Sequence, residues 1–461
     1  MKVCLKKNSM EESVVSAGSP GQAVLSPNHM EIYWHDYAGS QGETPIIQAD
    51  IKEQASVIGR IGLMLLSCGT GAWRVRRSMN RLAEQMGITC TANIGLLTID
   101  YTCFDGESCF TQSLCLKSTG VNTLRLNRLE RFVRDFSEKY KDLSGEEIHS
   151  RLDEIEQIRS PFSSLQLGLA AALACGGFTF LLGGGIPEII CAFLGAGAGN
   201  YLRSKLASHR FTLFLCVSAS VALACLVYAA AIRGMEMFFN VSDRHEAGYI
   251  CAMLFIIPGF PFITSGIDLA KQDMRSGLER LAYALNIIIV ATLTAWIAAL
   301  LIQLDPAEFP KLSIAPAALA GLRIIASFCG VFGFSIMFNS PARLAASAAV
   351  IGAAANTLRL ELVDLAGLPP AAAAFLGALT AGVLASILNR KLGYSRISIT
   401  VPSIVIMVPG LYMYRAIYHM GALELEESAF WSISTLLIVI ALPLGLIFAR
   451  ILTDRDFREC T

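Results

Sequence analysis

The chain has 461 residues, with 37 Lys and Arg balancing 37 Asp and Glu; 54% of it is hydrophobic and only 16% charged. Soluble domains average about a quarter charged residues, which excludes an ordinary water-soluble enzyme, and zero net charge argues against a nucleic-acid partner, which a basic excess would mark. The charge is uneven: residues 1–162 hold 18 basic and 20 acidic residues, whereas the remaining 299 hold 19 and 17 set between long apolar runs.

Residues 1–46 are polar and rich in Ser, Gly and Pro, without an apolar leader core, and read as a disordered lead. A soluble α+β domain is expected over 47–160. Apolar residues at helical spacing (Ile58, Ile61, Leu65, then Trp73, Val75, Met79, Leu82) predict two helices broken at Gly69 and Gly71. Arg74, Arg76, Arg77 and Arg81 interleave the second helix, which reads as a solvated face beside a bilayer, with a phosphate or lipid contact as the alternative. Stretches 88–103 and 108–118 are β-prone and predict one hairpin over Asp105-Gly106. Helices over 122–141 and 145–158 follow, the second opened by a capping box at Ser144 and Glu147.

Ten apolar stretches approach the roughly 20 residues that span a bilayer: 163–184, 186–202, 211–232, 248–267, 281–303, 314–337, 341–358, 371–388, 397–418 and 430–451. With the N-terminus inside, the inner connections carry 13 basic residues and the outer ones 5, so both termini are expected in the cytoplasm. Thirteen cysteines, an odd number with no zinc spacing, read as reduced thiols. No P-loop, dinucleotide, zinc-protease or nucleophile-elbow motif occurs. The chain is therefore expected to be no enzyme and to need no cofactor or metal.

The spans repeat. Pro258-Gly259 in the fourth and Pro409-Gly410 in the ninth lie 151 residues apart, and Asn200-Tyr201-Leu202-Arg203 recurs as Asn356-Thr357-Leu358-Arg359. Two units of five, 161–304 and 305–461, are expected. Five being odd, the second enters from the opposite side, an inverted repeat of the kind secondary transporters use. The predicted class is an α-helical polytopic membrane protein of about ten spans behind an N-terminal cytoplasmic α+β domain.

A Pro-Gly pair in mid-membrane either kinks a helix or breaks it into halves whose N-termini attract an anion. Inverted topology would aim both ends at one midplane site suited to a carboxylate. Candidate substrate-binding residues are therefore Pro258, Gly259, Pro261, Pro409 and Gly410, with Asn200 and Asn356 at the repeated helix ends. Arg323, inside the sixth span, is a substrate-carboxylate candidate or the partner of a buried acid or carbonyl. Asp268, closing the fourth span, is a proton-coupling candidate or an interfacial cap. Arg415 lies beyond the second break, and Glu188, Asn286, Glu361 and Asp364 read as interface residues.

Several segments together resemble the threonine/serine exporter family: Leu63–Val75 with its Gly69-Thr70-Gly71 and arginine helix, Ser160-Pro161-Phe162, Pro258 to Asp268, Gly333 to Arg343, and Val401-Pro402 to Gly410. The resemblance covers about 50–455. It implies a multi-pass bacterial inner-membrane exporter driven by the proton motive force. It also implies two exporter parts, fused here, that in some members are separate subunits exporting a dicarboxylate such as succinate. Expected partners are threonine or serine, or a small dicarboxylate, with protons and the lipid bilayer; a homo-oligomer stays open. A membrane-anchored enzyme with its chemistry in 50–160 is the alternative of another class.

Overall fold

The computed structural model describes residues 32–37, 44–158, 160–239, 248–303, 314–455, 457 and 458. Most of the expected disordered lead lies outside them. Its described part is ordered: Trp34–Tyr37 and Ile46–Gln48 form single 3-10 turns, and Ile46 is fully buried. Trp34 stacks on His149 and Tyr37 packs edge-on to Phe110.

The N-terminal part, expected to be the soluble one, begins with α1 (Ile51–Ser67) and α2 (Ala72–Gln85), separated where expected; Gly69 takes φ +80, and a Cβ there would crowd the Gly120 carbonyl. The expected hairpin is a three-stranded antiparallel meander, β1 (Thr89–Ile94), β2 (Thr98–Phe104) and β3 (Cys109–Cys115). The run 88–103 folds back at Gly95, whose turn carries apolar Leu96 and Leu97 because it docks on the membrane part: the Leu96 N–H donates to Glu279 Oε2 (2.6 Å). α3 (Thr123–Lys139) and α4 (Gly145–Glu156) close the unit, α4 with its capping box in place.

α4 carries a buried polar cluster. His149 is fully buried; its carbonyl accepts from Arg60, whose guanidinium also pairs with Asp153 and Glu156. Burial first, then the Arg60 charge, pushes the His149 pKa down to about 3. The unfolded chain protonates this group near 6.5, so its contribution to stability is full above that pH and is lost as the pH falls towards 3, on the order of a few kcal/mol in all. His35 has the opposite sign: hydrogen bonds to Glu146 and Asp153 raise its pKa, so its contribution is full below 6.5 and fades as the pH rises. Amide-exchange protection of α4 is thus expected to drop between pH 6.5 and 3 in the native protein and to be flatter in His149→Gln; identical acid profiles would contradict the assignment.

The remaining chain is helical. The first half holds α5 (Ser164–Leu181), α6 (Ile186–Ser208), α7 (Leu213–Phe239), the pair α8 (Gly248–Ala252) and α9 (Gly259–Ala270), and α10 (Met274–Ile302). The second holds α11 (Pro316–Met337), α12 (Ala342–Asp364), α13 (Pro370–Leu392), the pair α14 (Arg396–Val405) and α15 (Gly410–Gly421), and α16 (Leu425–Thr453). By length and composition, seven of the described helices could cross a membrane, or up to nine spans if each bent pair counts as one. The chain is therefore a polytopic membrane protein. The expected second span, α6, is not among them; it carries Glu188, Arg203 and Lys205 beside its small residues.

The contacts of the first half recur in the second: α5 on α6, α6 on α7 and α9 on α10 match α11 on α12, α12 on α13 and α15 on α16, and α5 packs against α11. Small residues set these close approaches. A Cβ on Gly195 would crowd the Ala224 carbonyl of α7, and one on Gly333 would crowd α5.

Candidate functional site

Both Pro-Gly pairs break their helices. α8 with its 3-10 extension (Leu254–Ile256) meets α9 at 60°, and α14 meets α15 at 52°. Pro258 has φ −80 and ψ 58, Pro409 has φ −82 and ψ 62, and in each case the following glycine N–H donates back across the proline, Gly259 to Ile257 O at 2.8 Å and Gly410 to Val408 O at 2.9 Å. These are inverse γ-turns. Each starts a 12-residue helix. Pro261, third in α9, has no N–H, so the first break offers fewer free donors than expected, while α15 carries Leu411 and Tyr412 in the matching turn.

The two breaks lie against each other. A Cβ on Gly259 would fall inside contact distance of Val405, and one on Gly410 inside that of Ile257. Each glycine thus receives an apolar side chain from the opposite break, and Leu254, Val405 and Val408 are buried at the junction. Beside it the hydroxyls of Tyr249 (α8) and Tyr414 (α15), both fully buried, hydrogen-bond to each other.

The other candidates spread around this junction. Asn200 Nδ2 donates to Leu167 O (2.7 Å), tying α6 to α5, and Asn356 Nδ2 donates to Ser327 Oγ (2.9 Å), tying α12 to α11. Arg323 pairs with Glu361 (2.8 Å) and with Asp364, so its charge is taken up by α12. Arg359 instead donates to Met407 O, in the second break, at 3.3 Å, and its buried Nε has no hydrogen-bond partner. No ion pair joins Arg359 to a carboxylate among the described residues. Sequence reasoning passed over this side chain, although the repeated Asn-x-x-Arg spacing held the signal. Tyr249 and Tyr414 had none.

Asp268 is fully buried where α9 meets the N-terminal part. Its Oδ2 accepts from Ala72 N (3.1 Å) and Ser276 Oγ (3.1 Å) and forms an ion pair with Arg280 Nε (3.2 Å), which itself donates to Ser276 Oγ, while Oδ1 has no hydrogen-bond partner. The carboxylate therefore caps the N-terminus of α2, where charge and dipole agree. Gly71 leaves it room: a Cβ there would be 2.5 Å from Oδ1. Arg280 completes a clasp by donating to Gly69 O (3.3 Å) and Thr70 O (2.8 Å). Arg76 joins Asp273 (2.6 Å) and Arg74 joins Glu130 of α3 (2.6 Å), so these two arginines dock α2, while Arg77 and Arg81 stay on the exposed face expected of it.

One arrangement in the N-terminal part resembles enzyme chemistry. Ser56 Oγ lies 3.0 Å from His149 Nε2, but both side chains are fully buried, the hydroxyl also donates to Glu53 O, and Arg60 rather than an acid flanks the imidazole. A histidine held near pKa 3 is a poor base at neutral pH. Among the described residues no group of three or more His, Cys, Asp or Glu is placed to hold a metal ion.

A family model for threonine/serine exporters matches residues 56–302, more than half of the chain, and a second, threonine/serine exporter ThrE, matches 323–452. The probable succinate transporter subunit YjjP of Klebsiella aerogenes is 26% identical over 250 residues, 52% of this chain and 91% of that protein. The Escherichia coli protein of the same description is 24% identical over 257 residues, 54% of this chain and 96% of its own length. No solved structure matches the chain.

Proposed function

The chain belongs to the threonine/serine exporter family, and on that premise we propose that it moves threonine or serine out of a bacterial cell across the cytoplasmic membrane, driven by the proton motive force. In this reading ten spans form two inverted five-helix repeats, with both termini cytoplasmic. The reciprocal packing of the two breaks carries the proposal: two half-helix N-termini converge on one junction that apolar side chains now fill. Separating the α8–α9 unit from the α14–α15 unit would open a slot there for the substrate carboxylate. The Tyr249–Tyr414 bond is among the contacts that must part. Asp268, with one unpartnered carboxylate oxygen, is the proposed proton carrier.

Arg359 fits the carboxylate better than Arg323 does. A guanidinium with a buried, unpartnered Nε and no counter-charge is costly, and a substrate carboxylate would supply one. Arg359→Gln is expected to weaken apparent substrate affinity by about tenfold or more, and Arg323→Gln by less than about twofold. Concentration-dependent efflux measured on both variants checks this, and equal losses would remove the distinction.

A second reading is dicarboxylate export. It is favoured by the two curated relatives, both named as succinate transporter subunits and both matching about half of this chain; the part matched by the second family model would then be a fused counterpart. Vesicles loaded with labelled threonine, serine or succinate under an imposed proton gradient separate the readings. Gradient-stimulated threonine efflux is the expected result. Efflux of succinate alone would select the second reading, and flux indifferent to the gradient would refute proton coupling.

A further inference from the structure

A cavity of about 590 Å³ lies between the N-terminal part and the ends of α13, α14 and α16. α2 contributes Arg74, Arg77 and Arg81 to its wall, and α3 contributes Arg131 and Arg134. The membrane part faces them with Arg396 and Arg450. Among the described residues two carboxylates line the space, Glu130 bound to Arg74 and Asp454 bound to Arg450 (3.1 Å). Arg396 donates to Thr453 Oγ1 (2.9 Å) and Arg131 lies over the Tyr394 ring; among the described residues neither is in an ion pair, nor is Arg81. The walls also offer Ser78, Ser386 and Asn389 as neutral donors. Arg134 likewise holds Asp135 (3.0 Å), which leaves Arg81 and Arg131 on one side and Arg396 on the other as guanidiniums outside any ion pair among the described residues; they repel one another across the gap, and an anion between them would relieve that repulsion.

We infer that this cavity binds a multiply charged phosphate group that bridges the N-terminal part to the membrane part. Guanidinium forks match phosphate oxygens in bidentate fashion. The two carboxylates of a diacid would leave the lining net positive, whereas a multiply charged phosphate brings more charge and more acceptor oxygens to the same guanidiniums, so phosphate suits it better than the transported substrate does. The phosphate comes either from a soluble metabolite or from an anionic lipid headgroup, since basic pockets between helix ends at a membrane surface collect both. The inference stands apart from the export reading, because the junction of the breaks takes no part in it.

Titration of the purified full-length protein with inorganic pyrophosphate tests it. Saturable sub-millimolar binding is expected, weakened at least tenfold in the double variant R81Q/R131Q and unchanged in R151Q, whose arginine pairs with Glu154 on α4 outside the cavity. A second pair, R81Q/R134Q, replaces the first if that variant unfolds. Reconstitution into phosphatidylcholine vesicles, with and without phosphatidylglycerol, assigns the source: competition by the anionic lipid identifies a headgroup, and its absence a soluble phosphate. No saturable binding, binding indifferent to both arginine pairs, or succinate binding as tightly as pyrophosphate would overturn the inference.

Discussion

Gly259→Leu and Gly410→Leu are each expected to reduce export below about a tenth of the native rate while the protein still inserts. At both positions even a Cβ enters the space of a side chain from the opposite break, Val405 in one case and Ile257 in the other. Overpacking a filled junction costs about 1–3 kcal/mol, and in the proposed export cycle it acts on the contact that must close and open. The clash is reciprocal, which gives a sharper check than loss of activity. Gly259→Ala should be rescued by Val405→Ala, and Gly410→Ala by Ile257→Ala, each across the junction. Efflux from vesicles with equal amounts of inserted protein measures both effects. Native export in the leucine variants, or rescue indifferent to which partner is trimmed, would sink the junction as the site.

Arg280→Ala should have the second large effect, loosening the N-terminal part from the membrane part. It strips the buried Asp268 carboxylate of its ion pair and leaves the Gly69 and Thr70 carbonyls without their donor. Removing one partner of a buried pair costs about 3–5 kcal/mol. Cys68, next to this link, reports the change: it is buried, and burial pushes its thiol up to about 12, so it should resist a maleimide at neutral pH. In Arg280→Ala its labelling should rise at least tenfold relative to exposed Cys109, read by mass spectrometry. Arg280→Lys, which keeps a positive charge beside Asp268, should label less than Arg280→Ala; equal labelling of the two would show that the ion pair is not what holds the link.

Local signals carried much of the helical layout. The α1–α2 break, the capping box at Ser144 and both Pro-Gly interruptions were legible because glycine, proline and capping residues act within a few positions of where they stand. The meander was not. Its first turn, Gly95 followed by two leucines, carries no local turn signal, and part of what holds it is Glu279, almost two hundred residues away, which accepts from the backbone there. The same holds at the site. The 151-residue spacing pointed to two equivalent breaks, yet that each glycine would house a side chain of the other, and that Tyr249 would meet Tyr414, depends on helices meeting in space. Asp268 was legible as a polar residue at a helix end, but its grip on α2 belongs to the docked N-terminal part.

α9 joins these two places. It is a 12-residue helix with the γ-turn at Pro258 at one end and the Asp268–Arg280 clasp near the other, so the points lie roughly 14 Å apart along one stiff rod. A lever of that kind has its fulcrum at the γ-turn and its handle in the grip of the N-terminal part. A tilt of the N-terminal part by a few degrees would be delivered to Gly259 as rotation rather than absorbed on the way, so in the proposed export cycle that part could bias the junction without touching cargo.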